Sequence, residues 1–249
     1  MFLVVCDIED VGALWFAGQV RAAGVQACLV TSDLLAFARR RSQRIGAIGV
    51  ESVIELAHGT TITRPAFVLN RLTGPPAAAW RLASDTERHY AIAELNAFML
   101  GWLTGLHCPV RNRPDPSCLA GPLPHPLLLA AAATRTGLDC ADVSFRHDSG
   151  STPDYLLGAA ARAAGPGSQP VHAVCLDGVV LNVPVPPHVA AAVREFTTLI
   201  GAGEALIGLD FLVQKDIWWF AGMSPLADLR AAGKTLVDRL VALAMEPAL

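Results

Sequence analysis

The sequence predicts an α/β protein, and three observations carry that reading. Two strand–helix units follow one another at the N-terminus, Asp177-Gly178 stands between two apolar runs as a two-residue hairpin signal, and a second hairpin is written near the end as Gly208–Val213, the turn Gln214-Lys215-Asp216 and Ile217–Phe220. At 249 residues and 53% hydrophobic content the chain can bury a sizeable core, as one large or two intimately packed α/β domains, and global disorder is excluded.

Taken in order, Met1–Cys6 is an apolar run suited to a buried parallel strand, and Val11–Ala23 carries apolar residues at helical spacing until Gly24 stops it. Val25–Val30 reads as the second strand. Thr31 and Ser32 can cap a helix running to about Arg41, with Arg39-Arg40-Arg41 as its solvated end. Shorter strands are expected near Val53–Leu56 and Thr60–Thr63 around His58-Gly59, and Ala66–Asn70 is the last strand before the breakers Gly74-Pro75-Pro76. A long helix follows from about Asp85 to Leu106, its buried face marked by Tyr90, Leu95, Phe98, Met99 and Trp102. Cys108-Pro109-Val110 leads into Asn112-Arg113-Pro114, and a helix from about His125 to Thr136 is closed by Gly137. A short strand at Val143–Arg146, an alanine-rich helix at Tyr155–Ala164 and the linker Gly165–Pro170 come next. The strands Val171–Leu176 and Val179–Val185, the amphipathic helix Pro187–Ile200, the closing hairpin and a helix from about Leu226 to Met245 complete the chain.

Bulk properties narrow the function. A net charge of -3 and a pI near 6.1 supply no electrostatic footprint for nucleic acid. The most apolar stretch, Ala91–Val110, is interrupted by Glu94, Asn96, His107 and two glycines, so it reads as a buried helix and no membrane association is expected. The first ten residues carry acidic side chains and no basic leader, and the expected compartment is the cytoplasm. The six cysteines form no C-x-x-C pair and are expected to be small buried hydrophobes, with Cys118 in a Pro/Gly-rich loop the least settled.

The segment Gly208-Leu209-Asp210-Phe211 followed by Trp218-Trp219-Phe220-Ala221-Gly222-Met223-Ser224-Pro225 resembles the closing hairpin of ATP-grasp ligases. In that family a G-x-D-F strand precedes W-x-F-L-E-V-N-P, and the Asp, Glu and Asn hold magnesium on ATP. Asn112-Arg113-Pro114, Gly137-Leu138 and the Glu94…Gly101-Trp102-Leu103 segment stand in the same order as in ligases of the ribosomal-modification and peptide-maturation type. The resemblance implies an ATP-grasp-like fold: an N-terminal parallel βα domain over 1–115, a reduced central lid segment over 116–170, and a C-terminal α/β domain with antiparallel hairpins over 171–249.

The chain departs from that pattern where the chemistry lies. The family's Glu falls on Gly222 and its Asn on Ser224, so Asp210 is left as a residual metal ligand. The only lysines are Lys215 and Lys234, outside the stretch where the family places its nucleotide clamp, and Arg146 and Arg162 are the basic residues there apart from His. No catalytic residue is assigned. Arg71 and Arg113 each follow an Asn at an apparent strand end, where a parallel sheet opens its binding crevice; with Asn112 and His125 they are candidates for an anion or peptide-carboxylate site, and their alternative role is to tie loops to carbonyls. Asp210 has the alternative of pairing with an arginine.

The resemblance therefore implies an ATP-grasp-like protein that has lost ligase activity and serves as a binding or regulatory subunit of a biosynthetic or peptide-modifying complex, with no tightly bound cofactor. The alternative is a divergent ATP-dependent carboxylate–amine ligase working through an acyl phosphate with ATP and Mg. A small-molecule-binding α/β module without ATP chemistry is the third reading. With 16% charged residues the chain is expected to associate, either as a homo-oligomer or with another enzyme subunit, and to take a small carboxylate or peptide ligand.

Overall fold

A computed structural model of the chain describes residues 1–47, 49–143 and 155–246, which divide into two compact units, Met1–Gly121 with Lys234–Leu249, and Pro122–Gly233. In the first unit β1 (Phe2–Cys6) feeds α1 (Val11–Ala22), whose first turn is capped by Asp10 accepting from the Ala13 amide at 2.8 Å. Gly24, at φ +82°, ends the helix and returns the chain to β2 (Ala27–Thr31). Every residue of β1 is buried, as a central parallel strand covered on both faces requires.

The next helix is shorter than the sequence suggests. α2 spans only Ser32–Ala36, and Arg40–Gly46 is a strand, β3, which pairs antiparallel with β4 (Gly49–Glu55) along its whole length. Two forces override the helical reading. The hairpin supplies a full ladder of backbone bonds, and the Arg41 guanidinium turns back to hold the Leu35 and Ala36 carbonyls at 2.6 and 2.8 Å, which closes the short helix. The arginine run is thus the start of a strand and not a helix end. β5 (Thr61–Ile62) adds to β4 at Ile54 and Glu55 alone, so β3-β4-β5 form a small antiparallel sheet.

β6 (Phe67–Arg71) lies beside β1 in parallel, α3 (Asp85–Thr104) follows, and β7 (Val110–Arg111) joins the outer side of β6 to give a four-stranded parallel sheet in the order β2-β1-β6-β7. A capping box between Ser84 and Glu87 starts α3. Its buried face holds Leu95, Met99, Trp102 and Leu103, whereas Tyr90 is 68% exposed and does not belong to the stripe assigned to it. One face of the parallel sheet packs Leu3, Val5, Val30 and Val68 against α3. On the other, Phe2 meets Phe16 and Phe67 with ring centroids 5.9 and 4.8 Å away.

In the second unit α4 (Pro126–Arg135) and α5 (Tyr155–Ala164) precede β8 (Gln169–Leu176), β9 (Val179–Val180), α6 (Pro187–Leu199), β10 (Leu206–Gln214) and β11 (Ile217–Ser224). The strands form an antiparallel sheet in the order β11-β10-β8-β9. Asp177 and Gly178 both have positive φ, as do Lys215 and Asp216, so each two-residue turn has the left-handed backbone that matches strand twist. β9 stops well before Val185; Asn182 instead bridges to β8, accepting from the Val174 amide at 2.7 Å and donating to the His172 carbonyl at 2.8 Å. Phe196, Phe211, Trp218 and Phe220 centre the main core of this unit, while Leu212 and Ala221 pack on the opposite face against Ala160 and Ala164 of α5. The last helical stretch, α7 (Leu229–Met245), starts three residues later than expected and breaks at Gly233, where the chain passes from the second unit to the first. Of the strand expected at Val143–Arg146, Val143 is irregular and residues 144–146, including Arg146, lie outside the described residues, as does most of the stretch between α4 and α5. No helix among the described residues is long and apolar enough to cross a membrane.

Two predictions follow from burial. Asn70 is fully buried, and its amide donates to the Asn112 and Leu119 carbonyls at 2.7 Å each. Asn70→Ala would remove both of these buried bonds, and urea unfolding is expected to show a loss of about 2–4 kcal/mol. Burial, reinforced by Asp10 and Asp7, pushes the Cys6 thiol up to about 12. A raised thiol pKa means that the reactive thiolate is scarce below it, so at pH 8 only about one Cys6 in ten thousand is ionised. Iodoacetamide at pH 8 is expected to leave Cys6 unmodified in the folded chain and to modify it in urea.

Candidate functional site

The antiparallel register of β8, β10 and β11 sets His172, Asp210 and Gly222 side by side in one cross-strand row. Along β10 the residues Ile207, Leu209 and Phe211 point to the main core, so Asp210, between the last two, emerges on the opposite face with Leu212. There its Oδ1 lies 2.6 Å from His172 Nδ1. Directly on the other side stands Gly222, where a Cβ would be 3.6 Å from Asp210 Oδ2. The register slips by one residue between Asp210 and Phe211, leaving Ala221 as the extra residue of a bulge that aims position 222 at the carboxylate.

Around this row is a cleft of about 490 Å³, lined by His125, His172 and Asp210 among the apolar side chains of Leu129, Leu156, Leu157, Leu212 and Met223. His125 is the N-cap of α4, its Nδ1 accepting from the Leu127 amide at 3.3 Å, and Pro126 occupies the first helical position. The structure thus brings two of the sequence candidates, His125 and Asp210, into one cleft. Ser224 sits opposite Gly208 and turns its hydroxyl to the Leu226 amide at 3.1 Å, which closes the turn after β11.

Arg71, Asn112 and Arg113 belong to the first unit and are engaged within it. Arg71, at the carboxyl end of β6 and 5% exposed, forms a 2.6 Å ion pair with Asp10, the residue that caps α1. Arg113 spreads its guanidinium over the end of α3 and the segment after it, reaching the Thr104 carbonyl at 2.8 Å, Leu103 at 3.2 Å, Cys108 at 3.4 Å and Leu106 at 3.5 Å. Asn112 is buried at positive φ and packs so closely on Gly121 that a Cβ there would lie 2.9 Å from the Asn112 Cβ. Asp7, near the Asp10–Arg71 pair, has its carboxyl raised above the usual range by burial, although it accepts bonds from the Thr73 amide at 3.2 Å and from the Thr73 hydroxyl.

The row supplies few donors for magnesium on a nucleotide. That ion takes hard oxygen donors in near-octahedral geometry, commonly one or two carboxylates together with phosphate oxygens. The row offers one carboxylate, already bonded through one oxygen to an imidazole, and a glycine where a second donor would stand. Among the described residues no group of three His, Cys, Asp or Glu side chains converges on one point. Of the two lysines, Lys234 is paired with Asp238 at 2.6 Å and Lys215 sits in the β10–β11 turn. His172 was not singled out in the sequence, because its value comes from standing opposite Asp210, and nothing local in Val171–Leu176 states which strand it will face.

No family model matches the sequence, and no curated protein matches it. Solved structures do. The ATP-grasp ligase PsnB complexed with minimal precursor, Mg and ADP superposes with a TM-score of 0.71 at 16% identity, over 98% of each chain. The macrocyclase MdnC bound with precursor peptide MdnA, from Microcystis aeruginosa, gives 0.69 at 10% identity over 98% of this chain and 99% of that one. The RiPP-associated ATP-grasp ligase of Chryseobacterium gregarium, in complex with ADP and a leader and core peptide, gives 0.66 at 9% identity over 98% and 95%. The chain has the α/β fold of the ATP-grasp ligases.

Proposed function

We propose that this ATP-grasp-like chain no longer performs ligation and acts as a binding or regulatory subunit in a peptide-modifying or other biosynthetic complex. The observation that carries this reading is the His172–Asp210–Gly222 row. A carboxylate that would have to meet a metal is bonded to His172, and its neighbour on β11 lacks a side chain. The cleft around it keeps an apolar lining with two imidazoles and one carboxylate, a mixture suited to a peptide segment with a polar end more than to a triphosphate. Similarity of fold to ligases solved with precursor peptides supports a peptide as the ligand class.

A divergent, active carboxylate–amine ligase is the second reading. It is favoured by the near-complete coverage of a ligase solved with Mg and ADP. Calorimetry separates the two. The chain is expected to show no low-micromolar binding of Mg-ATP, and such binding, if abolished by Asp210→Ala, would overturn the proposal in favour of the ligase. The subunit role has its own check. Affinity-tagged chain purified under native conditions from its source cells is expected to carry a second ATP-grasp protein with it, and light scattering of a clean monomer with no co-purifying partner would contradict that role.

A further inference from the structure

A second cavity, of about 740 Å³, lies entirely within the first unit and has no part in the reading above. One wall is the edge of β4 from Val50 to Val53. The other is built from Thr63–Ala66, from Gly105–Pro109 after α3, and from Ala244 and Glu246 at the end of α7.

The β4 edge is open because β5 is so short. β4 is paired on one side with β3 throughout, but on the other side β5 meets only Ile54 and Glu55. Beyond Ile62 the chain reaches Pro65, which has no amide to donate, and Thr63–Ala66 become the far wall of the cavity rather than a continuation of the ladder.

Strand geometry tells which backbone groups face the gap. The Leu56 amide donates across to Thr60 at 2.8 Å, so Leu56 points toward the β5 side. Along a strand every second residue points the same way, which places the amides and carbonyls of Ile54, Ser52 and Val50 on that side. The tight Gly46–Gly49 pair that closes the β3–β4 hairpin agrees, since it turns the odd-numbered positions toward β3. Ile54 has its partner in β5. For Val50 and Ser52 no hydrogen-bond partner on the cavity side is present among the described residues. Both residues are half-buried, so these two donors and two acceptors are only partly open to water.

We propose that this slot takes an extended peptide segment of a partner polypeptide, which pairs antiparallel with Val50–Val53 along the line that β5 abandons. The row of alternating donors and acceptors has strand spacing, over about 13 Å for four residues, and a compact metabolite would not use it. Exposed edges are commonly blunted by Lys, Pro or an inward charge. This one has none of these at its slot-facing positions, Val50 and Ser52. Because the slot is walled on the side opposite β4, a single extended segment suits it better than the edge of a second copy's sheet. Val50, Ala66, Leu106 and Pro109 favour small or apolar side chains on the partner, with Arg64 and Glu51 adding one charge of each sign to the lining.

The test uses the full chain against a displayed library of random nonamer peptides, and the selected sequence is then made synthetically. Ser52→Pro, which removes the slot-facing amide and leaves the β3 ladder intact, is expected to weaken its binding about tenfold, as the loss of one well-formed hydrogen bond implies. Ser52→Ala, which keeps the amide, is expected to bind like the parent. Hydrogen exchange on the unaltered chain guards against a misfolded proline variant: the Val50 and Ser52 amides should exchange readily alone and become protected when the peptide is added. Failure to select any peptide, protection confined to other amides, or a folded Ser52→Pro that binds as well as the parent would overturn the proposal. So would protection of Val50 and Ser52 that rises with protein concentration alone, which would assign the edge to a second copy.

Discussion

The register of one antiparallel sheet governs the account. Once β8 and β11 are fixed on either side of β10, the residue facing Asp210 on each side is no longer free to vary. A slip of one residue would turn Asp210 into the Phe196–Phe220 core and bring a core side chain out to the cleft. The aromatic packing of Phe211 against Trp218 and Phe220, at 5.5 and 6.1 Å between centroids, therefore holds the site as well as the fold. With the frame locked, the chemistry of the cleft follows from what stands in the row: an imidazole, a carboxylate and a bare backbone.

The first unit is organised by a different economy of polar groups. Three side chains tie down its loops. Asn70 bridges two carbonyls, Arg113 spreads over the carbonyls at and after the end of α3, and Arg71 pairs with the aspartate that also starts α1. Buried polar groups of this kind are costly to strip of partners, which makes them effective at fixing loops. In the same unit the Val50 and Ser52 side of β4 has no backbone partner among the described residues, and it differs from the outer edges of the sheets in facing a walled cavity.

The α/β class, the long helix and both tight hairpins were legible because each rests on local signals. Asp177-Gly178 and the turn at Lys215-Asp216 mark tight hairpins, Gly24 and Gly137 stop helices at positive φ, and Leu95, Met99 and Trp102 mark the buried face of α3. Asp210 and the vacancy at Gly222 were legible for a related reason, since both lie on a single hairpin. The strand at Arg40–Gly46 was not, because its sequence is polar and exposed and it is held by its partner β4 rather than by a buried face. Tyr90 was misplaced by counting helical spacing too near the first turn of α3, where the helix still faces solvent. His172 stayed hidden for a topological reason: β8 and β10 are separated in sequence by a hairpin and a helix, and no local pattern records that they become neighbours.

Under the proposed function, the Asp210 row does not receive a metal–nucleotide complex. Paramagnetic relaxation measures it directly, because Mn²⁺ bound with ATP would broaden amide signals close to it in a labelled sample. Substoichiometric Mn²⁺-ATP should leave the Asp210 and Gly222 amides as sharp as those of the distant β9 turn. Selective loss of the Asp210 and Gly222 signals, reversed by excess Mg-ATP, would contradict the account and place the nucleotide in the cleft.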